Sequence, residues 1–458
     1  MSPNPKRDIF TYADFDLQAV CRQASILRGG VPCACDPDQR PASGSFNWAI
    51  FICFDDRVRW ILRSPHPRTF MPMEMGMKLL VSEAATLRYL KAHSDIPVPE
   101  VYDYCASSDN AIGVPFIFMS EAPGWPLSKV WRPAGSSRPE LDTLSKAKVL
   151  SQLSDITWKL SQLRFDTIGS LFEENESFEI KECLSRGHML YGRYSLEIPR
   201  GPFTSESAVD LWNDFVTIGR KTDSSDNRLD YIIAGDALRD IVRKFDLPAI
   251  NPETFPLCHA DLSVNNIYVD DNYNITCVID WAFASSIPEF MVLATPGLPQ
   301  YRDEIDSELH VPFINGFIAA MPGSIEEKLI QKYRETLERG QVSWRFSRLL
   351  TFDTISDYKL TSLLLSGTLQ MALKRTSGNI LYHSGEDQPL SKIEKDEEEY
   401  FRKQCFRKTI AKKLTLVSGW KAQHTSDHPP KLRKDMFVAS PQLWKWIQKF
   451  VNDWEDMS

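Results

Sequence analysis

Residues 257–282 read LCHADLSVNNIYVDDNYNITCVIDWA, and this stretch decides what the chain can be. His259, Asp261 and Asn266 precede or open a short run of strand formers, Asn266–Val269, and Asp280 follows a second run, Ile275–Ile279. The steps between the four polar residues are 2, 5 and 14 positions. Asp270-Asp271-Asn272, between the runs, has the composition of a tight turn, because Asp and Asn bond their own backbone. Two strands folded back on that turn return Asp280 to the loop that carries Asp261. An isolated Asp at such a place has a dull explanation, the capping of a turn. The set of three does not. Phosphoryl transfer asks for one carboxylate to orient an attacking hydroxyl and accept its proton. It also asks for an amide oxygen and a second carboxylate to hold magnesium against phosphate oxygens. Asp261 is then the candidate base, Asn266 and Asp280 the candidate metal ligands, and His259 a brace for the loop.

Upstream, residues 41–63 read PASGSFNWAIFICFDDRVRWILR. Trp48–Phe54 and Val58–Leu62 are runs of strand formers joined at Asp55-Asp56, which predicts a hairpin, and Gly44-Ser45-Phe46-Asn47 predicts a second tight connection ahead of it. Leu80, Ala84, Leu87 and Leu90 recur at helical spacing in residues 78–92, and Pro97 and Pro99 prevent continuation of that helix. Val114–Ser120 reads as a buried strand, with a break at Pro123-Gly124, and helical character returns over Leu141–Leu163. The break predicts a strand-rich first lobe, residues 1–120, and a helical second lobe, residues 121–458. Further helices are expected near Ala234–Lys244, 324–338, 356–374 and 391–415, and in PQLWKWIQKFVNDW at the carboxyl end, with a loop around GPFTSESAVD.

The whole composition agrees with a folded protein that has pockets. The chain has 458 residues, 43% hydrophobic and 25% charged, with 12 Trp and 25 Phe that need cores or grooves to cover them. A count of 53 basic against 61 acidic residues gives a net charge of -8, which argues against a nucleic-acid binder. The amino end, MSPNPKRDIFTYADF, lacks the continuous apolar segment of a signal peptide, and no stretch approaches the ~18 apolar residues of a membrane span. The expectation is a soluble, cytoplasmic protein with no membrane or nucleic-acid partner. Asp8, Asp14 and Asp16 weaken a mitochondrial import reading without removing it.

At the residues already quoted, the sequence resembles the aminoglycoside phosphotransferase-like kinases, and within them fungal-type members. The family's catalytic loop has the pattern His-x-Asp-x-x-x-x-Asn, matched by His259, Asp261 and Asn266, and its metal segment is matched by Ile279-Asp280-Trp281. The resemblance implies an α+β, bilobal protein-kinase-like fold, with a small strand-rich lobe and a large, mainly helical one. It implies Asp261 as catalytic base, Asn266 and Asp280 as Mg2+ ligands, and ATP as phosphoryl donor. Gly44-Ser45-Phe46-Asn47 looks like the hairpin that covers phosphate, with Gly44, Ser45 and Asn47 as contacts, although only one glycine of the usual Gly-x-Gly-x-x-Gly is present. Arg63 occupies the place where kinases usually carry lysine, and Glu83, 20 residues on, matches its acidic partner. Val114–Glu121 resembles the strand and hinge between lobes. Met119 would stand near the pocket wall, and the backbone of Ser120, Glu121 and Ala122 would recognise adenine. Ile168-Gly169-Ser170-Leu171 and Gly201-Pro202-Phe203 also look like features of fungal-type members.

The activity implied is ATP- and Mg2+-dependent transfer of the γ-phosphoryl group to a hydroxyl of a small molecule. Two alternatives stay open. Arg63 and the sparse glycine loop suit a nucleotide-binding scaffold that has lost efficient transfer. A protein kinase is the third reading, disfavoured by the lack of an evident Asp-Phe-Gly and Ala-Pro-Glu pair. The residues that would shape the acceptor pocket, 172–250 and 300–400, carry no readable specificity code.

Overall fold

The computed structural model describes residues 9–67, 71–131, 139–189, 201–204, 250, 253–300, 303–341 and 343–345. The chain divides into two compact units, Met1–Ser185 with Ala249–Gln341, and Arg186–Pro248 with Val342–Ser458. The described part of the second unit includes the short helix Arg186–Met189. All that follows concerns the first unit. The helices expected near Ala234–Lys244, 356–374 and 391–415 and at the carboxyl end lie outside the described residues, as does the loop GPFTSESAVD beyond residue 204.

The first sheet grows from the alternation in β3 (Asn47–Phe54), where Trp48, Ile50, Ile52 and Phe54 are buried and the residues between them are not. It pairs antiparallel with β4 (Arg59–Pro65) across the turn at Asp55-Asp56, as the sequence predicts. The sheet continues through β6 (Phe116–Ser120) to β5 (Val101–Cys105), while β1 (Cys33–Ala34) and β2 (Ala42–Ser43) both pair with β3. One face is covered by an element the sequence reading did not name, α1 (Leu17–Leu27), together with Ile9. Asp16 caps α1 by accepting from the Ala19 amide at 2.9 Å, and Ala19, Val20 and Ala24 turn inward against Trp48 and its neighbours. These signals, followed by Gly29-Gly30, were present in the sequence.

The residues of β4 alternate between faces. Trp60 and Leu62 join the core beneath α1, so Arg63 points the other way. That side meets α2 (Met73–His93), which starts earlier than the periodicity alone suggests because Pro72 leads into it. Its buried stripe holds the expected Leu80, Ala84, Leu87 and Leu90, with Glu83 in the middle. A hairpin of β9 (Ser170–Glu174) and β10 (Ser177–Lys181) packs against the same helix. Lys78 bonds Glu182 at 2.7 Å, Arg88 bonds Glu173 at 3.1 Å, and Tyr89 lies against Phe165 and Phe178.

Beyond β6, the chain passes through Pro123-Gly124 into β7 (Trp125–Pro126), then α3 (Ser128–Trp131) and α4 (Thr143–Gln162). Helix α4 is capped by Asp142 and packs along the helix Ser307–Ala320. A further helix, Glu327–Glu338, falls inside the expected 324–338 segment. Two small antiparallel sheets complete the unit, β7 with β12 (Ile267–Val269) and β13 (Ile275–Val278), and β8 (Arg164–Phe165) with β11 (Phe255–Cys258) and β14 (Ser285–Ser286). The fold is α+β, an antiparallel sheet backed by a long helix and followed by a mainly helical half. The α+β class is the one expected from the sequence. Among the described residues no helix is long and apolar enough to cross a membrane.

Candidate active site

The two strands β12 and β13 form the hairpin read from the sequence, with Ile267 opposite Val278 and Tyr268 opposite Cys277. One residue outside this ladder, the Ile279 amide donates to the Asn266 carbonyl at 2.9 Å, so Asn266 and Asp280 are brought together by backbone register. The Asn266 side chain donates from Nδ2 to the Asp261 carbonyl at 3.0 Å, which leaves Oδ1 as its acceptor atom. His259, buried, joins the loop to the hairpin. Its Nδ1 accepts from the Asp261 amide at 2.9 Å, so its proton resides on Nε2, which donates to the Ile279 carbonyl at 3.0 Å. The ring also stands edge-on to Trp281 at 4.4 Å. The histidine thus braces one loop against the other, as the sequence reading anticipates.

Asp280 has φ +68, a left-handed conformation that costs a non-glycine residue about 1–3 kcal/mol and concentrates at functional sites. Its carboxylate takes an ion pair from Nη2 of Arg63. Nε of the same guanidinium lies 3.2 Å from Glu83 Oε2, so Arg63 bridges the helix and the Asp280 loop. The Trp281 backbone also hydrogen-bonds Glu83. Burial pushes the Glu83 carboxyl up to about 7, an effect that Arg63 opposes and Asp280 reinforces. Burial works against the charge on Arg63 as well, but the two carboxylates outweigh it and hold the guanidinium above its ordinary value.

The hairpin turn ahead of β3 reaches the same loop. Gly44 donates its amide to the Asn47 carbonyl at 2.9 Å, Ser45 is exposed at the tip, and Phe46 meets Phe283 edge-on at 5.1 Å. Phe46 and Asn47 line a cleft that extends to Glu83 and Ala282. Gly44 has no positive φ and room for a Cβ, with only the Asn47 carbonyl at 3.8 Å, so backbone conformation does not require glycine there. Met119 is buried in β6 opposite Ile61 and Val101. The Ser120 amide is used by the Glu100 carbonyl at 2.9 Å and the Glu121 amide by the Arg59 carbonyl at 3.3 Å, while Ala122 makes no such backbone bond among the described residues. This group connects to the β12–β13 hairpin through the linker that follows it, where Thr276 donates to the Pro123 carbonyl at 2.6 Å.

Several supporting residues were not identified from sequence. Ser170, within a motif quoted without a role, accepts from the Leu184 amide at 2.9 Å and donates to the Ala284 carbonyl at 3.1 Å. Gly169 bonds Ser286 through both its amide and its carbonyl. This motif therefore secures the segment that leaves Asp280. Arg164 pairs with buried Glu289 at 2.5 Å and donates to the Thr254 carbonyl at 2.8 Å, just ahead of β11 and the loop that carries His259 and Asp261. The Gly169–Ser286, Ser170–Ala284 and Arg164–Glu289 pairings join positions over a hundred residues apart, so no local pattern announces them.

The donor set fits a magnesium ion. Asn266 and Asp280 offer oxygen ligands from adjacent strand ends, and no cluster of three or more His, Cys, Asp or Glu is present among the described residues. Magnesium is commonly held this way, by one or two protein oxygens with phosphates and water supplying the rest.

No family model matches the sequence. The chain is similar to a subtelomeric hrmA-associated cluster protein of Aspergillus fumigatus, 25% identical over 333 residues, which are 61% of this chain and 63% of that protein. It therefore spans less than two thirds of this relative's length. Among solved structures it is similar to a macrolide 2'-phosphotransferase type I, at 16% identity and TM-score 0.38, covering 77% of this chain and 99% of that one. It is also similar to a Plasmodium vivax ethanolamine kinase, at 13% identity and TM-score 0.39, covering 74% and 82% of the two chains.

Proposed function

We propose that the chain is a phosphotransferase that moves the γ-phosphoryl group of ATP to a hydroxyl of a small molecule, with Mg2+. The observation that carries this reading is the convergence of Asp261, Asn266 and Asp280 on one loop and hairpin, with Arg63 reaching it from the first sheet and Glu83 from α2. Asp261 orients the acceptor hydroxyl and accepts its proton. His259 holds the backbone of Asp261 in place. Arg63, positioned by Glu83, orients donor phosphates, and the hairpin tip at Gly44, Ser45 and Asn47 covers them. Met119 walls the adenine pocket, and of the hinge residues Ser120, Glu121 and Ala122, the last carries the amide best placed for a base. Residues 1–120 would form the nucleotide lobe and 121–458 the lobe that receives the acceptor. When bound at Asn266 and Asp280, Mg2+ neutralises charge on the phosphates.

A second reading, a nucleotide-binding protein with weak transfer, is favoured by one observation, the contact of Arg63 with Asp280, the carboxylate assigned to the metal. ATP turnover across a library of alcohols and amino alcohols, with Asp261→Asn as control, separates the two. Acceptor-dependent turnover that Asp261→Asn lowers by about 100-fold or more supports the phosphotransferase. Nucleotide binding with no acceptor-dependent turnover supports the scaffold.

A further inference from the structure

We infer that Arg63 couples nucleotide to divalent cation by occupying Asp280 until a phosphate draws it away. The inference rests on the phosphotransferase reading of this site and adds a linkage to it. Arg63 is in ion-pair contact with Asp280 and holds Glu83 at the same time. A guanidinium can do this because its donors form a planar fork, whereas a lysine ammonium is a compact point charge. The three side chains carry one positive and two negative formal charges, and the positive one lies on the carboxylate expected to bind metal. A divalent cation arriving alone meets a ligand already neutralised and a fixed like charge beside it. Glu83 offers no substitute place, since its carboxylate is buried and bonded to the Trp281 backbone.

Phosphate changes this balance. Its oxygens give the guanidinium a bidentate partner, the geometry that arginine binds best. Arg63 can turn to the phosphate while keeping Glu83, and its positive charge then no longer opposes a cation at Asp280. Each ligand favours the other, and such coupling is reciprocal by thermodynamic necessity. The arginine in the lysine place is, on this account, the part that prevents the cation from binding without nucleotide.

The test uses the full chain with two separate probes, Mn2+ without nucleotide, followed by electron paramagnetic resonance, and AMP-PNP in EDTA, followed by calorimetry. Arg63→Gln and Arg63→Lys should tighten nucleotide-free Mn2+ binding by about 5-fold or more, the lower end of ordinary allosteric coupling, and Arg63→Gln should weaken AMP-PNP binding in EDTA. Asp280→Asn should remove the Mn2+ signal. Thermal melting checks that each variant is folded, and Arg63→Lys keeps a cation beside Glu83 should Arg63→Gln fail to fold. Unchanged or weaker Mn2+ binding in folded Arg63→Lys, with AMP-PNP still bound by the unaltered chain, overturns the linkage and leaves the phosphotransferase reading intact. Failure of the unaltered chain to bind AMP-PNP with or without Mn2+ overturns both.

Discussion

Gly124→Ala should disrupt the linker between the first sheet and the β12–β13 hairpin. Gly124 has φ +86, and a Cβ there would lie 2.3 Å from the Val269 carbonyl oxygen and 2.9 Å from Thr276 Oγ1. The left-handed backbone alone costs an alanine about 1–2 kcal/mol. Relieving the overlap requires linker and hairpin to separate by roughly an ångström, which breaks the Thr276 bond to the Pro123 carbonyl, worth about 1 kcal/mol. Lost packing adds to these, so the total should reach about 3 kcal/mol. Urea denaturation followed by tryptophan fluorescence measures it, with Thr276→Val as a companion that removes the hydrogen bond without adding bulk and should cost about 1 kcal/mol. Because β7 pairs with β12 at Pro126–Tyr268 and Trp125–Val269, the displacement is passed to the strand that follows Asn266. A Gly124→Ala protein within about 1 kcal/mol of the unaltered chain would refute the argument, since the backbone cost alone exceeds most of that margin.

Arg164→Met should destabilise the fold by about 3–5 kcal/mol, read by the same denaturation, because it leaves the charge of Glu289 buried beside Ile250 without its cation. Phe46→Ala removes the edge-on contact with Phe283, worth about 0.5–1.5 kcal/mol, and should raise the Kd for AMP-PNP several-fold while changing global stability little. Acid sensitivity should come in part from Asp16, Asp142 and Asp270. The Ala19 amide, the Ser145 amide and the Asn274 side chain, respectively, hold their carboxyls below the ordinary value of 3.8. A lowered folded pKa stabilises above the unfolded value and is lost as pH falls through the folded one. The triple Asp→Asn variant should therefore lose less stability than the unaltered chain between pH 4 and pH 2, as circular dichroism would report.

Much of the site was legible because its parts are local. His259, Asp261, Asn266 and Asp280 lie within one hairpin, and period-two strands around an Asp-Asp-Asn turn dictate that the last returns to the first three. Glu83 was legible through the resemblance, as the residue on the predicted helix 20 positions after Arg63. Other features depend on how distant segments meet. The sequence allowed Arg63 to pair with Glu83, but its second bond, to Asp280 217 positions away, follows from where β4 and the hairpin come to rest. Phe46 opposite Phe283, Ser170 beneath Ala284 and Arg164 against Glu289 are of the same kind. Helix α1 had its cap and apolar spacing written locally, yet nothing local said which sheet face it would cover.

The sequence by itself determined the chemistry available, which is an oxygen-donor set at fixed spacing, a hairpin to assemble it and a helix bearing its acidic partner, because hydrogen-bond register and side-chain periodicity operate over a few residues. Only the tertiary structure decided how the charges are paired. Packing α2 against the first sheet and β9–β10 against α2 fixes Glu83 where one guanidinium can span two carboxylates, and burial makes that arrangement energetically consequential.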